Sequence, residues 1–220
     1  MSKQATKDAL VVQQVHVVKP QSSTLTLKIV GVVPYVQLRM DEKKYPGVKG
    51  GPDVPQGEKK KRKKWNPKAE FQAAHYRCAK GGYGIPASAF RNAMIRAMSL
   101  PQISAPMTLG KMSIFIEADD FDAKDGTPLV KFRRGAPQMC KHPVKNANRS
   151  TDIRVRAMWR EGWKARVKVV YDPLVFSAES IANLMVYAGD RVGIGEGRPS
   201  SSRSNGMGWG QFTIEGSEIE

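Results

Sequence analysis

Cysteine is close to absent: Cys78 and Cys140 are the two there are, which excludes a small secreted scaffold held by disulfides. Histidine is almost as scarce, with His16, His75 and His142 making three, so imidazole chemistry has few places to sit. No apolar run approaches the ~20 residues that a membrane-spanning helix requires. Residues 1–10 carry Lys3, Lys7 and Asp8 and no apolar core segment, unlike a secretory signal, so a cytoplasmic protein with no membrane partner is expected. The largest deficit is acid. Against 36 Lys and Arg stand 20 Asp and Glu, a net charge of +16, which opposes compaction by self-repulsion and attracts polyanions.

What is present suffices for a folded core. The chain has 220 residues, 40% hydrophobic and 25% charged, and is read as a single domain over residues 1–220. After a lead-in with a strand near Leu10–Val18, a long strand alternates Leu25, Leu27, Ile29 and, past Gly31 and Pro34, Val36, Leu38, Met40. Pro34 has no amide to donate and marks a bulge or an edge. Pattern then fails over residues 41–84, a flexible basic insertion holding the run Lys59, Lys60, Lys61, Arg62, Lys63, Lys64 and then Trp65. Such a run attracts phosphate, and the indole is available for stacking.

A helix is predicted over Ala89–Met98, capped by Ser88, with Phe90, Ala93, Met94, Ala97 and Met98 on one face and Arg91 and Arg96 on others. A strand follows over Lys111–Ala118, then a basic loop insertion over residues 119–150. Ile153, Val155, Ala157 and Trp159 alternate, as do Trp163, Ala165, Val167 and Val169, about an Asp/Glu-Gly type of turn at Glu161-Gly162, which reads as a hairpin. Its polar face carries Arg154, Arg156 and Arg160 on one arm and Lys164, Arg166 and Lys168 on the other. Like charges opposed across strands are destabilising, which points to a surface that meets phosphates. A second helix runs from Ser177 to a stop at Gly189, with short strands near Arg191–Ile194 and Gly208–Ile214.

Between these strands lies a glycine-rich loop: Gly193, Gly195, Gly197, Arg198, then Arg203, Gly206 and Gly208. Repeated glycine lets a backbone approach an anion closely and turn amides toward it. The loop precedes a strand rather than a helix and lacks Gly-Lys-Ser/Thr, so it is not a nucleotide-binding P-loop.

The order strand, helix, strand, strand, helix, strand predicts an α+β fold with a ferredoxin-like, RRM-like (βαββαβ) core. Gly84-Ile85-Pro86-Ala87-Ser88-Ala89-Phe90-Arg91 opening a helix, with Gly193-Ile194-Gly195-Glu196 and Gly206-Met207-Gly208-Trp209-Gly210 far downstream, resembles the RAMP superfamily of CRISPR-associated RNA-binding proteins of antiviral defence. The similarity covers the core elements from about residue 25 to 214, but not the insertion over residues 41–81. It implies RNA held by the glycine-rich loop and by Arg91 and Arg96. It also implies a multi-copy backbone subunit, polymerising along a guide-like strand with companion subunits, or a stand-alone phage or plasmid relative. No cofactor is expected.

Alternatives accompany this reading. One is an endoribonuclease of the processing branch, using His16 or His75 as a base or Asp41 in metal-dependent cleavage. Another is a viral single-stranded DNA-binding, annealing or virion-associated protein. His75, Cys78, Cys140 and His142 also supply a zinc ligand set by type, although Cys-x-His is an unusual spacing. Asp119-Asp120-Phe121-Asp122 with Asp125-Gly126 imitates a calcium loop, but Lys124 stands where an oxygen is needed, and an Asp-Gly turn accounts for it.

Overall fold

Leu25, Leu27 and Ile29 are buried and Lys28 is not, the period-two pattern of a half-buried strand. This strand, β1 (Ser23–Gly31), belongs to a computed structural model that describes residues 19–39, 65–145, 151–201 and 207–219. The expected strand at Leu10–Val18, together with His16, Asp41 and Lys59 to Lys64, lies outside the described residues, as do Arg203 and Gly206.

After β1 come β2 (Tyr35–Gln37), α1 (Pro67–Ala74), β3 (Tyr76–Arg77), β4 (Tyr83–Pro86), α2 (Ala87–Ala97) and α3 (Met107–Ser113). Then follow β5 (Ile114–Glu117), β6 (Asp120–Phe121), β7 (Pro128–Arg134), β8 (Gln138–Lys145), β9 (Thr151–Trp159) and β10 (Lys164–Tyr171). The chain ends in α4 (Ala178–Tyr187), a π-helical turn over Ala188–Val192, and β11 (Phe212–Ile219). The fold is α+β with antiparallel sheets. The larger sheet runs β11-β1-β10-β7-β4-β3, with β5 also on β10 and β6 on β7, and the smaller runs β2-β9-β8. Among the described residues no helix is long and apolar enough to cross a membrane.

The two alternating runs expected to form a hairpin do not pair with each other. β10 pairs with β1, β5 and β7, whereas β9 pairs with β2 and β8. Val30 faces Lys164 and, five residues along on both strands, Tyr35 faces Trp159. The β1–β2 and β9–β10 segments are therefore one long antiparallel pair that bends in register from the larger sheet to the smaller. Glu161-Gly162 is the bend, and the Gly162 amide donates to the Gly31 carbonyl at 2.8 Å.

Aromatic packing fixes the bend. Phe132 stacks on Trp159 with centroids 4.4 Å apart, and Tyr35 lies 5.7 Å from both Trp159 and Trp163. The Trp163 indole covers Gly31, where any Cβ would overlap it, and donates to the Val33 carbonyl at 3.1 Å. Full burial of each such side chain contributes about 2–3 kcal/mol.

On the larger sheet, the apolar stripes of α2 (Phe90, Met94) and α4 (Ile181, Met185) cover one face, packing on Leu25, Leu27, Val167 and Val169. Ser177 caps α4, its hydroxyl accepting from the Ser180 amide at 3.1 Å. Ser88 does not cap α2, which begins earlier, directly behind Pro86, with no side-chain cap. Gly189 does not stop the second helix. It lies in the π turn against the Phe212 backbone, where only hydrogen fits, and Arg191–Ile194 form no strand.

Three further expectations are corrected. Lys111–Ser113 close helix α3 rather than open a strand. Residues 65–84, assigned to the flexible insertion, build α1, β3 and the start of β4, and α1 packs on β9. Residues 119–145, read as loop, form β6, β7 and β8 around a knot of carboxylates. There Asp122 accepts from the Arg77, Lys124 and Asp125 amides and pairs with buried Arg39 at 3.0 Å. The acids of this segment are spent on backbone amides, on the Arg39 and Arg133 guanidiniums and on the Lys131 ammonium, which is why a loop-like sequence is ordered.

Candidate nucleic-acid interface

Helix α2 buries Phe90, Ala93, Met94 and Ala97 and so leaves Asn92 and Arg96 exposed, one turn apart. Facing them is the glycine-rich loop. The Gly193 amide donates to the Ala188 carbonyl, Ile194 to Gly210 and Glu196 to Val36, at 2.8–3.0 Å. Gly195 has φ 79°, and a Cβ there would come 2.5 Å from the Val36 carbonyl oxygen. The loop is thus pinned between β2 and the start of β11. Most of its amides are consumed internally, contrary to the expected anion nest; those of Gly195, Gly197 and Arg198 take no part in these bonds.

Between α2, α3 and the loop opens a cleft of about 650 Å³. Arg96, Lys111 and Arg198 line it with Asn92, Ser200 and Ser201, and among the described residues no carboxylate does. Arg198 is oriented by a hydrogen bond to the Gly195 carbonyl at 2.9 Å. Two segments about a hundred residues apart, singled out separately for Arg96 and for Gly193, Gly195 and Arg198, meet here. Sequence reasoning does not reach Lys111, because Met112, Ile114 and Ile116 alternate like a strand; the signal that could have found it is Pro106, which stands at the helix N-terminus.

The remaining cations are placed elsewhere. Arg91 donates to the Ile114 and Lys111 carbonyls and lies over Phe115, so it fastens the α3–β5 junction. Arg156 is buried and grips Glu196, its Nη2 3.1 Å from the carboxylate, tying β9 to the loop. Arg154 is half-buried and engaged, and Arg160 donates to Gln138 at 2.8 Å. Gly197 packs on the Trp209 ring, while a Cβ at Gly208 would meet only the Gln211 side chain, at 3.8 Å.

Lys164, Arg166 and Lys168 alternate with buried Ala165, Val167 and Val169, so they lie on the sheet face opposite α2 and α4. The β10 arm of the expected basic ribbon and the glycine-lined concavity are therefore back to back, whereas Arg156 of the β9 arm is bound to the loop itself. Nor is the ribbon free of acid. Neighbouring strands contribute Glu215 to Lys164 at 2.7 Å, Glu117 to Lys168 at 3.2 Å, and Glu218 to Lys28. Arg166 is exposed and faces Lys28 across the strand pair. Trp65 is exposed beside Lys141 on the smaller sheet.

The zinc set is not brought together. Cys78 bridges to Asp122, whereas Cys140 and His142 lie on β8, and among the described residues no three His, Cys, Asp or Glu gather as a metal site. Burial pushes the Cys78 thiol up to about 11, and burial with the Glu196 carboxylate raises Cys140 as well, so neither is a ready nucleophile at neutral pH. His75 is buried between Phe71 and Tyr83, away from the cleft, and burial followed by the Arg77 charge lowers its pKa. Set against known protein families and against curated proteins, the chain matches none.

Proposed function

We propose that the protein holds single-stranded nucleic acid, RNA in preference to DNA, by its sugar-phosphate backbone and with little regard to sequence. The observation that carries this is the acid-free cleft in which Arg96, Lys111 and Arg198 converge beside the glycine-rich loop. Cations offered from three separate elements match a run of phosphates better than a single small anion. RNA is favoured by the fold the strand order supports: β11, β1, β10 and β5 are neighbours in that order, all antiparallel, linked through α2 and α4. That arrangement supports a ferredoxin-like, RRM-like core, and with the glycine-rich loop it favours a RAMP-like backbone subunit, repeated along one strand as a homo-oligomer. The strand runs through the cleft and not across the lysines and arginine of β10, which lie on the opposite face of the sheet.

Fluorescence anisotropy with labelled 20-nucleotide RNA and DNA of matched sequence tests it. RNA should bind more tightly and remain intact with or without a chelator, which separates binding from endoribonuclease action. The Arg96→Ala, Lys111→Ala, Arg198→Ala triple variant should weaken binding about tenfold or more on every sequence and flatten the salt slope by about 0.7 for each phosphate no longer neutralised. Affinity and slope equal to the parent's would overturn the cleft as the binding site.

A further inference from the structure

Three of the four tryptophans are wholly or partly withdrawn from solvent: Trp159 and Trp163 are buried in the aromatic core, and Trp209 is half-buried against Gly197. Trp65 is 50% exposed. It lies just before α1, whose first turn is held by the Asn66 side chain accepting from the Ala69 amide at 3.1 Å, so the indole is carried on an ordered support. Lys141 of β8 places its ammonium 5.8 Å from the ring centroid, and Met139, on the same face of β8, is 37% exposed beside it. With Lys68 these residues border an open depression of about 490 Å³, and among the described residues no carboxylate lines it.

An exposed indole in water forgoes burial that a core position would give it. Here the Lys141 ammonium lies over it, and Lys68 and the polarisable Met139 thioether line the same depression, to which no described acid contributes. A planar ring with its own negative charge nearby answers all three features: the ring covers the indole and Met139 while the charge meets Lys68 and Lys141. An aliphatic partner would leave the two ammonium groups unanswered.

We infer that Trp65, with Met139, Lys68 and Lys141, is a base-stacking subsite that takes one unpaired base of a single strand and its flanking phosphates. The subsite lies on the smaller sheet, apart from the cleft, and it rests on the reading of the protein as a single-strand binder. It adds a contact that depends on the base being present, whereas the cleft contacts depend on phosphate alone.

The full-length protein is titrated with oligo-uridine 20-mer and with a 20-mer of abasic sugar-phosphate. Trp65→Ala should weaken binding of the uridine strand about fivefold or more and leave the abasic strand within about twofold of the parent. Trp65→Tyr, which keeps a ring, should recover most of the loss. Intrinsic fluorescence should be quenched by oligo-uridine in the parent and much less in Trp65→Tyr, and the unfolding midpoints of the three proteins should coincide. Equal losses on both strands, or no loss on either, overturn the stacking subsite. If the cleft triple variant still loses binding in that case, the proposed function stands without it; if the parent binds neither strand, both fall. Preferential capture of an acidic peptide over oligo-uridine also overturns it.

Discussion

Glu196 is an acid inserted among glycines, and its position decides how the loop is held. Its amide donates to the Val36 carbonyl and its side chain grips the buried Arg156, a guanidinium that would be costly to bury alone. Gly195, next to it, must adopt φ 79° with the Val36 oxygen where a Cβ would go. Gly195→Ala should therefore lower stability by about 3 kcal/mol, the sum of left-handed strain and a steric shift. Gly162→Ala is the internal control: the φ is also 79°, but nothing lies within 4 Å, so the loss should be about 1 kcal/mol. Urea midpoints of the two variants give the comparison, and equal losses would mean that the loop yields rather than strains. The glycines were legible in the sequence as a close-approach signal. That they approach the chain's own β2, and not only a ligand, was not legible, because the contact joins residues far apart in sequence.

At the scale of elements, the junction of α1 and β3 is set by one imidazole. His75 Nε2 accepts from Arg77 Nε at 3.3 Å, and the ring lies 5.2 Å from Phe71 and 5.0 Å from Tyr83. Burial, and then the Arg77 charge, hold its pKa below the ordinary value. The folded state thus favours the neutral ring, while the unfolded chain takes up a proton near pH ~6.5. The stability this group contributes is complete above that pH and is lost as pH falls below it. Asp120 and Asp125 also have lowered pKa values, Asp120 mainly through the Phe121 amide, but their losses come at lower pH, in the carboxylate range. The unfolding midpoint should therefore fall between pH 7 and 5, and His75→Phe should flatten that window; an unchanged slope would assign it elsewhere. The elements themselves were partly legible. The stripe Ile181, Leu184, Met185 and the Ser177 cap are as read, since both are local. The hairpin was not, because a period of two gives each residue's face and says nothing of the partner strand. β9 and β10 continue one another through the bend, and the tryptophans on either side of it, Trp159 and Trp163, carry that information only once β2 is in place.

For the whole molecule the decisive fact is that the larger sheet separates the cleft from the lysines and arginine of β10. On the outer face, Lys164 and Lys168 are already paired with Glu215 and Glu117, acids that no reading of one segment could place there, and the cleft lies on the helical side. A strand lying in the cleft reaches the outer face only around the edge of the sheet, through solvent in which exposed charges more than about 8 Å apart are largely screened at physiological salt. Changing Lys164, Arg166 and Lys168 to Gln together should leave RNA affinity within about twofold and the salt slope unaltered, with stability down by no more than about 1 kcal/mol once the surface pairs are removed. The same measurement on the cleft triple variant should give the opposite result. A flattened slope in the outer-face variant, by about 2 for three phosphates, would mean that the strand crosses the sheet instead, and the neutralising carboxylates would then have to release their lysines on binding.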